Sequence, residues 1–171
     1  MDANKIPMLA LYHANGKGTG SAMKLELYPA RVGDLDSGAI YATIARQSSL
    51  GDRRSTPPIY PSFDWDDALK VKLDFDDLAK VLQVLRGETE SIDDGKGLLH
   101  CYADKWQRIG FHHVIEPLAG YSMDIMEASD KDEHTNMDRR IYFFLSNAEA
   151  LGLSIAIEHS FAAISFGVPV M

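Results

Sequence analysis

The sequence predicts an α+β fold, with two β-β-β-β-α units forming two antiparallel four-stranded sheets and helices packed behind them. Three observations predict it. Short runs of period two dominate the first part of each half, and a period near 3.6 follows in each. The two strand-to-helix junctions, Phe75-Asp76-Asp77-Leu78 and Leu145-Ser146-Asn147-Ala148, lie 70 residues apart. Residue identity between the halves is negligible, so the repeat is one of topology. At 171 residues the chain is the size of one domain, 1–171, with a first unit over about 6–87, an acidic linker over 88–96 and a second unit over about 97–167.

Each element follows from its side-chain period. In Met8 to His13, Leu9 and Leu11 share one face of a strand, and Ala10 and Tyr12 share the other. After the turn Asn15-Gly16-Lys17-Gly18-Thr19-Gly20, Met23, Leu25 and Leu27 oppose Lys24, Glu26 and Tyr28. Ile40, Ala42 and Ile44 then oppose Tyr41 and Thr43, and a loop rich in Pro, Ser and Arg spans 48–62. The fourth strand, Ala68 to Phe75, sets Leu69, Val71, Leu73 and Phe75 against Lys70, Lys72 and Asp74. A helix follows, because Leu78, Val81, Leu82 and Leu85 recur at i, i+3, i+4 and i+7, with Asp76 as its expected cap and Gly87 as its stop. The second unit has strand candidates at Gly97 to Ala103, Ile109 to Leu118, Tyr121 to Ala128 and Arg139 to Leu145. Ser146-Asn147-Ala148-Glu149 is a capping box opening the last helix. Short connections make the strands antiparallel.

The last helix carries Leu151, Leu153, Ile155, Ile157, Phe161, Ile164 and Phe166, which is apolar on more than one face. One sheet cannot cover all of it, so the helix is expected to bury its second face in a homo-oligomer, a dimer or tetramer, with a deep intrachain core as the alternative. Asn147, Glu149, Glu158 and His159 interrupt the same stretch, which excludes a membrane span. The single cysteine, Cys101, rules out an intrachain disulfide and points to a reducing, cytoplasmic setting, and the first residues do not read as a secretory signal.

The formal charge is −8, which as a bulk number argues against a polyanionic partner. Its distribution is uneven: residues 1–60 hold seven bases and five acids, and the remainder holds ten bases and twenty acids. Much of the acid is clumped in 64–67, 88–94 and 130–138, in expected turns and linkers.

Strand alternation puts Tyr12, Lys24, Tyr28 and Tyr41 together on the face opposite the core residues Leu9, Leu25 and Ile40. Aromatic rings beside cations suit sequence-tolerant binding of single-stranded nucleic acid, since any base stacks while ammonium groups hold the backbone. Arg46, at the end of the third strand, is counted with them. The alternative is that these tyrosines pack against the other sheet or a partner subunit. Arg53 and Arg54 read as a solvated loop before a phosphate clamp, and Arg139 and Arg140 as surface cations. Trp65 and Trp106 read as core or rim aromatics.

No catalytic or metal site is expected. His112, His113 and Glu116 do not converge on a strand, because His113 points away from the other two. His100 and Cys101 are strand neighbours and also point apart. Phosphate-loop, dinucleotide and nucleophile-elbow motifs are absent. A cofactor is not implied.

Four segments in order resemble the Whirly family of single-stranded-DNA-binding proteins, in the fold group that includes PUR and mitochondrial RNA-binding proteins. Lys17-Gly18-Thr19-Gly20-Ser21-Ala22-Met23-Lys24-Leu25-Glu26 is similar to the family's Lys-Gly-Lys-Ala-Ala-Leu segment. Leu35-Asp36-Ser37-Gly38-Ala39 resembles its Leu-Asp-Ser-Gly-Ala, Phe63-Asp64-Trp65 its Tyr-Asp-Trp, and His113-Val114-Ile115-Glu116-Pro117-Leu118 its Lys-Val-Glu-Pro-Leu. The two family lysines fall at Gly18 and Gly20, with Lys17 and Lys24 just outside, and the glycines would let backbone N–H groups approach an anion. The resemblance implies a non-enzymatic protein that binds single-stranded DNA, or RNA, with little sequence preference in transcription regulation or DNA protection. The alternatives are an interaction module of the same fold without nucleic acid, and a small-molecule-binding protein or enzyme.

Overall fold

The computed structural model describes residues 6–102, 105–128 and 137–167. Among them, β1 (Met8–His13), β2 (Ser21–Tyr28), β3 (Ala39–Arg46), β4 (Leu69–Leu73) and α1 (Phe75–Leu85) form the first unit. The second is β5 (Leu98–Tyr102), β6 (Lys105–Val114), β7 (Gly120–Ala128), β8 (Arg139–Ser146) and α2 (Asn147–Phe166). Each set of strands is an antiparallel meander, β1-β2-β3-β4 and β5-β6-β7-β8.

Register explains which faces meet. In sheet 1, Leu9 lies opposite Leu25, Leu25 opposite Ala42 and Ala42 opposite Val71, so one apolar row crosses all four strands. In sheet 2, Leu98, Ile109, Ile125 and Ile141 form the equivalent row, each buried. The two inner faces pack together through β2, β3 and β4 against β7 and β8, and the helices fill the remaining space against β2, β6 and each other. Burying one such Leu, Ile or Val side chain contributes about 1.5–3 kcal/mol, so these rows dominate the stability of both sheets.

His13 closes the join at the edge of sheet 1. Its Nε2 lies 2.6 Å from Glu149 Oε1, and its ring stacks on Phe143 at 4.6 Å. Glu149 is also the return arm of the α2 capping box, taking the backbone N–H of Ser146 at 2.9 Å. One carboxylate therefore fixes β1, the start of α2 and the end of β8 together. Gly38, in the Leu-Asp-Ser-Gly-Ala segment, lies against the backbone of Ile164 with no room for a side chain, so this segment is the seat of α2.

Several boundaries differ from expectation. The cap of α1 is Asp74, not Asp76: its carboxylate accepts from the Asp77 N–H at 3.1 Å, and Asp77 returns the bond at 3.2 Å. The fourth strand thus stops at Leu73, and Phe75 becomes a 57% exposed first helical residue rather than a core one. β6 begins at Lys105, earlier than expected, because Lys105 to Ile109 pair with β5, and it ends at Val114, short of the expected Leu118. Glu116 therefore falls beyond the strand, so it and His112 do not share a strand face. The acidic segment 130–138 lies mostly outside the described residues.

Candidate nucleic-acid interface

The outer face of sheet 1 is turned away from the core, and Tyr12, Lys24, Tyr28 and Tyr41 all lie on it. Lys24 sits opposite Ala10 and Thr43, Glu26 opposite Tyr41, and Tyr41 opposite Lys72. Small residues at Ala10, Ala22, Ala39 and Ala45 on this face leave space between the larger side chains.

Two aromatic clusters result. In the first, the Tyr12 ring lies 5.7 Å from Phe63 and 6.5 Å, edge-on, from Trp65, and Lys24 Nζ sits 3.7 Å above the Trp65 ring. A depression of about 470 Å³ opens beside it, between Tyr12, Tyr60, Phe63 and Trp65. In the second, Tyr28 and Tyr41 meet at 5.0 Å, and Lys70 Nζ lies 5.0 Å from the Tyr41 ring. Lys70 also pairs with Glu26 at 2.8 Å, whereas Lys72 is exposed and makes no ion pair with a described residue. The face carries Lys24, Lys70 and Lys72 against Glu26, so it is locally positive on a protein of charge −8.

Trp65, expected as a core or rim residue, is half-buried and meets this face through Tyr12 and Lys24. The Phe-Asp-Trp segment reaches it through the bridge between Gln47 and Phe63, a long-range contact that no local period reports.

Arg46 does not belong to the face. It shares the alternation of Ile40, Ala42 and Ile44, so it points toward sheet 2, donates to the Arg140 carbonyl at 2.7 Å and approaches Asp67 at 3.8 Å. The glycine-rich turn also differs from expectation. The N–H groups of Lys17 and Thr19 donate to Asn15 Oδ1 at 3.0 and 3.1 Å, and that of Gly18 to the Asn15 carbonyl at 3.3 Å. Gly20 is buried, packed on the His13 carbonyl, and donates to Gln47 Oε1 at 3.2 Å. These amides are spent within the turn and do not offer an anion cradle; the exposed Lys17 ammonium remains at its rim.

A second basic and aromatic face, missed in the sequence reading, lies on the outside of sheet 2. Arg140, Tyr142 and Phe144 alternate on β8 with the buried Ile141, Phe143 and Leu145. The Arg140 guanidinium lies 4.2 Å from the Tyr142 ring and donates to buried Asp124 at 3.1 Å. Asp124 fits because Gly110, opposite it on β6, has no side chain in the way. Arg108 and Trp106 share this face. The Arg-Tyr-Phe alternation was the available signal.

Electrostatics behind the faces hold the frame. Burial pushes the Glu127 carboxyl up, but Lys105, Gln107 and Arg139 outweigh it and hold it below the usual carboxylate value. The Asp77 carboxylate, 3.1 Å from His100 Nε2, raises the His100 pKa against the opposing effect of burial. His100 faces inward while Cys101 faces out, so they do not form a nucleophile pair. Among the described residues no group of three or more His, Cys, Asp and Glu side chains is placed to hold a metal, and no helix is long and apolar enough to cross a membrane.

The sequence matches no protein family profile and no curated protein. Solved structures do match. WHY1 from Arabidopsis thaliana superposes with a TM-score of 0.71 at 13% identity, over 98% of this chain and 89% of that one. The plant transcriptional regulator PBF-2 gives 0.67 at 13% identity, over 94% and 91%. WHY3 from Arabidopsis thaliana gives 0.61 at 16% identity, over 92% and 90%. At these identities the likeness is one of fold, and the fold is that of the Whirly proteins.

Proposed function

We propose that this chain, which has the Whirly fold, is a non-enzymatic protein that binds single-stranded nucleic acid with low sequence specificity, DNA in preference to RNA. The observation that carries the reading is the outer face of sheet 1, where Tyr12, Trp65, Tyr28 and Tyr41 are interleaved with Lys24, Lys70 and Lys72. Bases stack on such rings for about 1–3 kcal/mol each, and lysines release counterions from the phosphates. Arg140, Tyr142 and Phe144 would extend the track over sheet 2. The preference for DNA rests on the resemblance to Whirly proteins, and a role in transcription regulation or strand protection rests on that and on the likeness to PBF-2.

The binding unit is a homo-oligomer joined through α2. Leu151 and Ile155 are 63% and 49% exposed one turn apart, and Phe166 is 72% exposed at the end of the same helix. An oligomer would cover them, and it would repeat the positive faces around one assembly.

Fluorescence anisotropy tests the reading. A labelled single strand of about 30 nucleotides should bind more tightly than its RNA counterpart and much more tightly than its duplex, and the affinity should fall steeply with salt. Lys24→Glu should weaken it at least tenfold, a loss of about 1.4 kcal/mol. Absence of binding at low salt, or equal binding of duplex, would overturn the reading in favour of an interaction module without nucleic acid.

A further inference from the structure

Where β4 and β5 diverge, a crevice of about 570 Å³ opens at the Lys72 end of the outer face of sheet 1. The row Met8, Glu26, Tyr41 and Lys72 crosses the sheet and runs into it. The crevice is lined by Tyr41 and Lys72 from sheet 1, by His100 and Tyr102 from β5, and by the carboxyl-bearing residues Asp74 and buried Asp77. The volume suits one small aromatic ligand with its polar tail. Gln107, which also lines the crevice, donates from Nε2 to the Lys70 carbonyl and to Glu127 Oε2, both at 3.0 Å, and so ties the two sheets together at its wall.

We propose that the crevice binds a single nucleotide bearing a terminal phosphate, its base between Tyr41 and Tyr102 and its phosphate on Lys72 and His100. The nucleotide is either a free nucleoside monophosphate or the phosphorylated end of a strand lying on sheet 1; only the second source rests on the strand-binding reading above. Two aromatic side chains in the lining give the base stacking surfaces. Asp77 holds His100 through Nε2 at 3.1 Å, which leaves Nδ1 for a ligand and favours the protonated, donating imidazole. Lys72 has no ion-pair partner among the described residues, so its charge is not already spent. A phosphomonoester carries more charge than the diester within a strand and so gains more from Lys72 and protonated His100, the Asp77 carboxylate being already engaged by His100 and that of Asp74 by the Asp77 N–H.

Tyr102 is 78% exposed, so Tyr102→Ala tests the site without threatening the fold. Calorimetry with deoxyadenosine 5′-monophosphate covers the free nucleotide. Competition among a strand of about 30 nucleotides phosphorylated at both ends, the same strand with hydroxyl ends, and its covalently closed circle covers the strand end. Binding of the monophosphate, weakened roughly tenfold or more by Tyr102→Ala and by His100→Gln, supports the first source. A similar advantage of the phosphorylated strand over the circle, lost in Tyr102→Ala while circle binding is unchanged, supports the second. If the monophosphate does not bind and the phosphorylated strand has no advantage, the inference is overturned, and retained circle binding would leave the strand-binding reading standing. Monophosphate binding with no strand binding would do the reverse.

Discussion

Trp65 and Lys24 are the smallest unit on which the account rests. The lysine ammonium lies 3.7 Å above the indole ring, an arrangement that contributes about 0.5–1 kcal/mol at an exposed site and fixes the cation beside a stacking surface. Trp65→Ala should therefore weaken single-strand binding by roughly 5- to 150-fold in anisotropy, equivalent to about 1–3 kcal/mol. Arg46→Gln should leave affinity within about twofold, since Arg46 bonds to the Arg140 carbonyl on the other side of the sheet. Two residue pairs contribute to the pH response of stability on opposite sides, with Glu127 adding to the acid limb. The raised pKa of His100 makes its pair with Asp77 fully stabilising below the ordinary value of 6.5, and that contribution is lost as pH rises through the raised folded value. For Glu149, burial pushes the carboxyl up, but the Ser146 and His13 contacts outweigh it and lower the folded pKa. Its contribution is present above the ordinary value of 4.5 and lost as pH falls through the lowered one. Melting temperature against pH should accordingly fall off on both sides; His100→Gln should flatten the alkaline limb and Glu149→Gln the acid limb.

At the scale of elements, the period-two pattern made the faces of β1, β2, β3 and β4 legible, because an antiparallel strand with one buried side must alternate. Tyr12, Lys24, Tyr28 and Tyr41 fell on one face for that reason. Arg46 was misplaced although the same alternation, carried two residues beyond Ile44, assigns it to the inner side. Trp65 was not legible, since a loop residue is positioned by the long-range Gln47–Phe63 bridge rather than by a period. Sheet 2 hid its outer face because β7 is buried on both sides, with Asp124 and Met126 covered as well as Ile125, so alternation there is blurred. The glycine turn misled for a different reason: Asn15 takes the N–H groups of Lys17, Gly18 and Thr19, and Gln47 takes that of Gly20. The cap of α1 moved by two residues because Asp74 and Asp77 form a reciprocal box, whereas Asp76 instead pairs with Lys80 at 3.2 Å. Asp74→Ala should cost about 1 kcal/mol of stability in urea unfolding, and Asp76→Ala about 0.5 kcal/mol or less.

For the whole molecule, a charge of −8 and a nucleic-acid partner are compatible when the charge is segregated. The outer face of sheet 1 holds three lysines to one glutamate, while several acids sit where they are already paired, as with Asp67 on Arg139, Glu127 on Lys105 and Glu158 on Arg86. The α2 surface adds the second global expectation. Leu151→Glu with Ile155→Glu should convert an oligomer to a monomer by light scattering at micromolar concentration; a wild-type monomer would remove the proposed assembly and leave the face intact. The most direct test of the central claim is photo-crosslinking of a bromodeoxyuridine-substituted single strand followed by mass spectrometry. Adducts at Tyr12, Tyr28, Tyr41 or Trp65 are the predicted result, lost on Lys24→Glu. Adducts confined to the helix side, at Phe75, Phe161 or Phe166, would contradict it.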